Sequence, residues 1–144
     1  SYRVHEYSHD ESSESYGLEA AEKMGVPAER VFKTLVVSTG NQELVVGIVP
    51  VSSMLSMKLI AKAAGTKKAA MANQLDVERS TGYVLGGVSP LGQKKRLKTI
   101  IDSSAKNYPT VYVSAGRRGL EIELSPDDLA KLTRGVLAEI CQGE

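Results

Sequence analysis

The chain has 144 residues, 42% of them apolar and 24% charged, which suits a single compact domain spanning residues 1–144. It carries one cysteine and no apolar run near the roughly 18 residues a membrane helix needs, so an internal disulfide and a membrane span are excluded, and a reducing, cytoplasmic setting is expected. The net charge of +1 hides segregation: residues 1–57 hold 4 Lys/Arg against 8 Asp/Glu, residues 58–118 hold 12 against 3, and residues 119–144 hold 2 against 6. A basic middle of this kind can hold a polyanion locally while the protein stays soluble; a merely solvated basic face is the plainer alternative.

In chain order, Tyr2 to Tyr7 alternates loosely and predicts a strand, followed by a polar loop over residues 9–15 and a helix over residues 15–24 that Gly25 and Pro27 end. The β-branched run Val31 to Ser38, the turn signal Gly40-Asn41 and the apolar run Leu44 to Val49 predict a hairpin at the centre of the sheet. Helical spacing recurs over Met57 to Ala64, with Gly65 as the stop, and a shorter helix is expected over Gln74 to Ser80. Residues 82–92 then place four glycines and Pro90 among interleaved apolar residues, the composition of a built loop rather than a linker. Thr110 to Ser114 and Leu120 to Leu124 read as antiparallel strands around the turn at residues 115–119. Ser125 as N-cap, Pro126 at the first helical position and Asp127 and Asp128 in the first turn open a helix that carries Leu129, Leu132 and Val136. The expected fold is α+β: one domain with a mixed, largely antiparallel sheet flanked by helices.

Three motifs carry little chemistry. His5-Glu6-Tyr7-Ser8-His9 matches the zinc motif H-E-x-x-H, but it follows a strand-like stretch, runs into a polar loop and has no third histidine to complete it, so no metal is expected. On a strand, His5, Tyr7 and His9 share one face. Cys141 has no local signature of a nucleophile and reads as a packing residue, and the glycine-rich loop fits neither dinucleotide nor P-loop spacing, so no cofactor is expected. Lys33 is different. It interrupts an apolar strand, on the face of Val31, Leu35 and Val37, where an amine must either snorkel to an edge or stand in a cleft as a cation for a phosphate or a developing oxyanion. Gly86, Gly87, Ser89 and Pro90 can form a stiff turn in which glycine backbone approaches a ligand closely.

Taken together, Val31-Phe32-Lys33-Thr34-Leu35, Ser80-Thr81-Gly82-Tyr83, the stretch from Gly86 to Arg96 and the stretch from Tyr112 to Leu120 resemble the YbaK/EbsC family of Cys-tRNA(Pro) deacylases, relatives of the editing domain of bacterial prolyl-tRNA synthetases. The resemblance runs from about Tyr7 to Leu132. It implies that Lys33 is the key active-site residue and that Tyr7, Tyr16, Thr34, Gly86, Gly87, Ser89, Pro90, Ser114, Ala115 and Gly116 line the aminoacyl pocket. Lys94, Lys95, Arg96, Arg117 and Arg118 would face the tRNA. The sequence departs from the family at Tyr16, where phenylalanine is usual, and at Ala115, where glycine is common. The resemblance also implies a short helix ahead of the first strand, most of which lies outside this sequence.

The chemistry so implied needs no protein nucleophile, general base, cofactor or metal. The cysteinyl thiol, with an ordinary pKa of about 8.5, attacks its own ester and releases the ribose hydroxyl and a cyclic thioester, with orientation replacing a bimolecular encounter. A monomeric, cytoplasmic enzyme acting on mischarged tRNA is expected, with prolyl-tRNA synthetase as a partner in a ternary complex. Two alternatives stand beside it: a deacylase of Ser-, Thr- or Ala-tRNA that uses water, and a non-catalytic tRNA-binding partner of a synthetase.

Overall fold

The structure is a computed structural model that describes residues 1–8, 16–84 and 87–142, with Tyr16 described by its backbone alone. The loop expected over residues 9–15, His9 and Gly86 lie outside the described residues. The strands divide between two sheets. One is antiparallel throughout, in the order β1 (Tyr2–Glu6), β7 (Leu120–Leu124), β6 (Val111–Ser114). The other is mixed, in the order β4 (Ala69–Met71), β2 (Phe32–Thr39), β3 (Leu44–Pro50), β5 (Lys98–Asp102), β8 (Val136–Ala138). The expected hairpin of β2 and β3 forms antiparallel, Phe32 opposite Pro50 and Ser38 opposite Leu44, whereas β3 with β5 and β5 with β8 run parallel.

Local chemistry accounts for the helices. In α1 (Tyr16–Met24), Ala20 and Ala21 are buried, and Gly25 follows at φ 69°. Ser56 caps α2 (Met57–Ala63) by accepting from the Leu59 N–H, and Asn73 caps α3 (Gln74–Thr81) through the Asp76 N–H. Ser125 caps α4 (Pro126–Thr133) through the Asp128 N–H, as its sequence demands. That helix stops earlier than the spacing of Leu129, Leu132 and Val136 suggests. Arg134 turns left-handed at φ 54°, Gly135 donates to the Ala130 carbonyl, and Val136 begins β8.

The two sheets face one another across an apolar core of Phe32, Val36, Val46, Ile48, Val111, Val113 and Leu124, closed by Val77 and Leu129 from the helices. A second cluster of Val37, Val45, Val49 and Ile100 on the outer face of the larger sheet is covered by Leu55, Ile60 and Ile140. At one edge the sheets meet: Val31, just before β2, forms a parallel bridge with Tyr112 of β6. Bridge partners share a face, so the outer surfaces of both sheets run together at this seam. Helix α1 seats there, packing Ala20 and Ala21 on Val31 and Tyr112 with Tyr7 and Val51 around them.

Candidate aminoacyl site at the seam

Alternation fixes what projects from the outer surface. Two residues beyond the Val31–Tyr112 bridge, on the same side of β2 and β6, stand Lys33 and Ser114. Ser114 pairs across the small sheet with Glu121, which pairs in turn with His5; Tyr7 follows two residues later on that face, its N–H donating to the Gly119 carbonyl at 2.9 Å. A cation, a hydroxyl, a carboxyl and a phenol therefore stand on one surface beside α1.

Their environments are unequal. Lys33 is half-buried, and desolvation draws its amine below the usual lysine range, partly countered by the nearby Cys141. Glu121 is 6% exposed, and burial pushes its carboxyl up to about 8. No hydrogen bond or ion pair holds that carboxyl among the described residues. The Tyr7 phenol is raised chiefly by burial, with the charges of Glu121 and Glu19 acting in the same direction and Arg118 and a backbone bond from Gly119 acting against it. Glu121 was missed by sequence reading. In Leu120-Glu121-Ile122-Glu123-Leu124 it occupies an ordinary outward polar position, alternating with the core residues Ile122 and Leu124, so no local signal marks it.

The other expected site residues spread over several settings. Thr34 lies on the side of β2 opposite Lys33, with Phe32 and Val36, and its buried Oγ1 has no hydrogen-bond partner among the described residues. The glycine-rich loop abuts the 115–119 turn: a Cβ on Gly87 would come 3.1 Å from the Arg117 Cα, and one on Gly116, at φ 107°, would come 2.8 Å from the Tyr83 ring. Tyr83 ties the two loops together, its hydroxyl donating to the Leu91 carbonyl at 2.5 Å. The N–H groups of these loops are committed inside them, Gly87 to Val84 O, Ala115 to Leu120 O and Gly116 to Ser114 Oγ. A substrate carbonyl would have to share them. Ser89 is buried and serves the loop, accepting from the Leu91 N–H on its hydroxyl and from Gln93 on its carbonyl, while Pro90 is buried beside it.

Lys94, Lys95 and Arg96 are exposed, and the backbone N–H groups of Lys94 and Lys95 donate to the last carbonyls of α3, those of Thr81 and Ser80. Arg117 is exposed at the turn, and Arg118 is half-buried near Tyr7. His5 lies on β1, not on a helix, with Nε2 2.9 Å from Glu123 Oε1, so the H-E-x-x-H spacing does not present two imidazoles along a helix face. Cys141 forms an isolated bridge with Leu55, and burial together with Asp102 pushes its thiol up to about 12, which leaves it a packing group rather than a nucleophile. Among the described residues no helix is long and apolar enough to cross a membrane.

Comparison with known proteins identifies the family. The chain is 40% identical over 146 residues, 99% of its own length and 87% of the other's, to EbsC of Enterococcus faecalis, named as a candidate Cys-tRNA(Pro)/Cys-tRNA(Cys) deacylase. It is 28% identical over 133 residues to the uncharacterized protein YwhH of Bacillus subtilis, covering 92% of this chain and 84% of that one. A solved candidate trans-editing enzyme for prolyl tRNA synthetase superposes with a TM-score of 0.87 at 24% identity, covering 99% of this chain and 87% of that one, and shares the fold. The hypothetical protein APE2540 superposes at 0.86 with 25% identity, covering 99% and 92%. Residues 12–132 match the aminoacyl-tRNA editing domain, a span that takes in Lys33, Ser114 and Glu121, and the chain therefore belongs to the YbaK-type aminoacyl-tRNA editing domain family.

Proposed function

We propose that this protein is a trans-editing deacylase that releases cysteine from mischarged Cys-tRNA(Pro), and from Cys-tRNA(Cys), by attack of the substrate's own thiol. The observation that carries the reading is the seam itself, where Lys33 and Glu121 stand on one surface while the protein's single thiol, near Lys33, is held protonated by burial. EbsC, named for the same two substrates, supports the choice of amino acid.

On this reading the cysteinyl sulfur bonds to the ester carbonyl carbon and the bond from that carbon to the ribose oxygen breaks. Beyond what the resemblance implies, the thiol proton passes to the Glu121 carboxylate and from there to the departing ribose oxygen, which leaves as the hydroxyl. A carboxyl with a pKa of about 8 suits a thiol of about 8.5, so the transfer is nearly thermoneutral. The Lys33 ammonium, in a half-buried setting, stabilises the negative charge that develops on the carbonyl and leaving oxygens. Tyr7 and Ser114 border the aminoacyl group. Serine offers a far weaker nucleophile and alanine none, so the mechanism selects cysteine beyond what pocket size could achieve. The enzyme acts as a cytoplasmic monomer, with prolyl-tRNA synthetase supplying selectivity for the tRNA body, and the basic residues of the 94–96 and 117–118 stretches meet tRNA phosphates.

The test is deacylation of Cys-, Ser- and Ala-tRNA(Pro) by the purified protein, with chelator present, beside the Lys33→Ala variant. Rapid loss of cysteine alone is expected, with turnover reduced roughly 10²- to 10³-fold in the variant. Comparable rates on the alanine or serine ester would overturn thiol assistance.

A further inference from the structure

The basic residues expected to face tRNA fall into two groups along the chain. Arg117 sits at the turn packed against Gly87. Lys95 and Arg96 line a pocket of about 130 Å³ at the end of the glycine-rich loop, without Arg117 or Arg118, completed by Gln93, Thr99 and Thr133 over a wall of Pro90 and Leu132. For scale, that is about four times the share of liquid volume that one water occupies. No lining residue is acidic. Among the described residues neither Lys95 nor Arg96 makes an ion pair. The two hydroxyls in the lining are already donating, Thr99 to the Leu97 carbonyl at 3.0 Å and Thr133 to the Leu129 carbonyl at 2.8 Å.

The pocket is also firmly held. Lys94 and Lys95 are anchored by their N–H groups to the end of α3, and Gln93 Nε2 donates to the Ser89 carbonyl at 2.9 Å. An unpaired lysine and an unpaired arginine on a pinned backbone, around a concavity without carboxylates, present the charge and the donors that a phosphate monoanion requires. Gln93 then links whatever occupies the pocket to the loop that borders the aminoacyl site.

We propose that Lys95, Arg96 and Gln93 form a subsite for one backbone phosphate of the RNA substrate, distinct from the Arg117–Arg118 contact and resting on the reading of this protein as a tRNA deacylase. The measurement is binding of uncharged tRNA across a series of salt concentrations, for the wild type, the Lys95→Ala/Arg96→Ala double variant and a control that removes two exposed lysines elsewhere, Lys62→Ala/Lys67→Ala. Because all four side chains are exposed, thermal melts serve to confirm that each variant folds. The subsite variant should bind about tenfold more weakly near 0.15 M salt and lose about 1 from the slope of log affinity against log salt, with the control within about twofold of wild type. An unchanged slope in the subsite variant, or equal weakening in both variants, would overturn the subsite and leave the deacylase reading standing. Failure of the wild-type protein to bind tRNA at all would overturn both.

Discussion

Glu121 and Glu123 project from the same face of one strand, two residues apart, and their surroundings treat them in opposite ways. Glu123 accepts from the Thr110 hydroxyl at 2.5 Å, lies 2.9 Å from His5 Nε2 and has the Arg30 guanidinium 3.7 Å away; the Thr110 hydroxyl and the His5 bond hold its carboxyl below the usual carboxylate range against the opposing effect of burial. Arg30 also donates to the Thr110 carbonyl and stacks 5.2 Å from the centre of the Tyr112 ring, so every member of that group has a partner. Glu121 has burial without such partners among the described residues, and its carboxyl is pushed up to about 8. Two carboxyls on one strand, driven apart in acidity by their neighbours, separate a group that holds the sheet together from the one to which the proposed mechanism gives the proton transfer.

Replacing each glutamate by its amide tests that division, because the two substitutions should act with opposite signs on stability. The folded protein keeps a proton on Glu121 that the unfolded chain, at 4.5, has released, so this group's contribution is fully present below pH 4.5, declines as pH rises and is gone above about 8. Glu121→Gln should abolish that decline and stabilise the protein at pH 7 by about 2 to 3 kcal/mol. The same change should lower deacylation on the order of 10²-fold and flatten the rise of rate with pH, since the proton acceptor is lost. Melting curves and pH–rate profiles together read both effects, and a variant less stable than wild type at pH 7 would break the comparison.

Glu123→Gln should cost about 1 to 2 kcal/mol at pH 7 through weakened charge-assisted bonds. For a carboxyl held low, the contribution is present above its unfolded value and disappears as pH falls through its folded one, so urea midpoints of wild type and variant should converge in acid. The smallest effect belongs to Thr110→Val. It removes one donor to Glu123, costs about 1 kcal/mol, and should move the acid-unfolding midpoint upward as measured by circular dichroism.

The parts of the fold that sequence reading captured are those with strong local chemistry. The hairpin of β2 and β3, the strands β6 and β7, and the Ser125-Pro126 helix start each carry alternation or a cap. It passed over β5, because a strand buried in a parallel ladder lacks alternation, and Lys98-Thr99-Ile100-Ile101-Asp102 follows directly on a basic run. Val136 read as a helical residue because it lies four positions beyond Leu132; the left-handed turn at Arg134 and the Gly135 after it were the stop signal. At the site, Lys33 was legible as a charge interrupting an apolar strand. Glu121 was not, since its importance depends on burial by elements distant in sequence, and no local pattern encodes that.

The Val31–Tyr112 bridge joins halves of the chain that are far apart in sequence, and it is an isolated bridge rather than part of a longer ladder. Lys33 and Ser114 each belong to a strand able to form from nearby contacts, but their meeting depends on the closure of a long loop. The proposed site thus depends on the docking of the two sheets, and a chain with both sheets formed but undocked would have native-like secondary structure without that site.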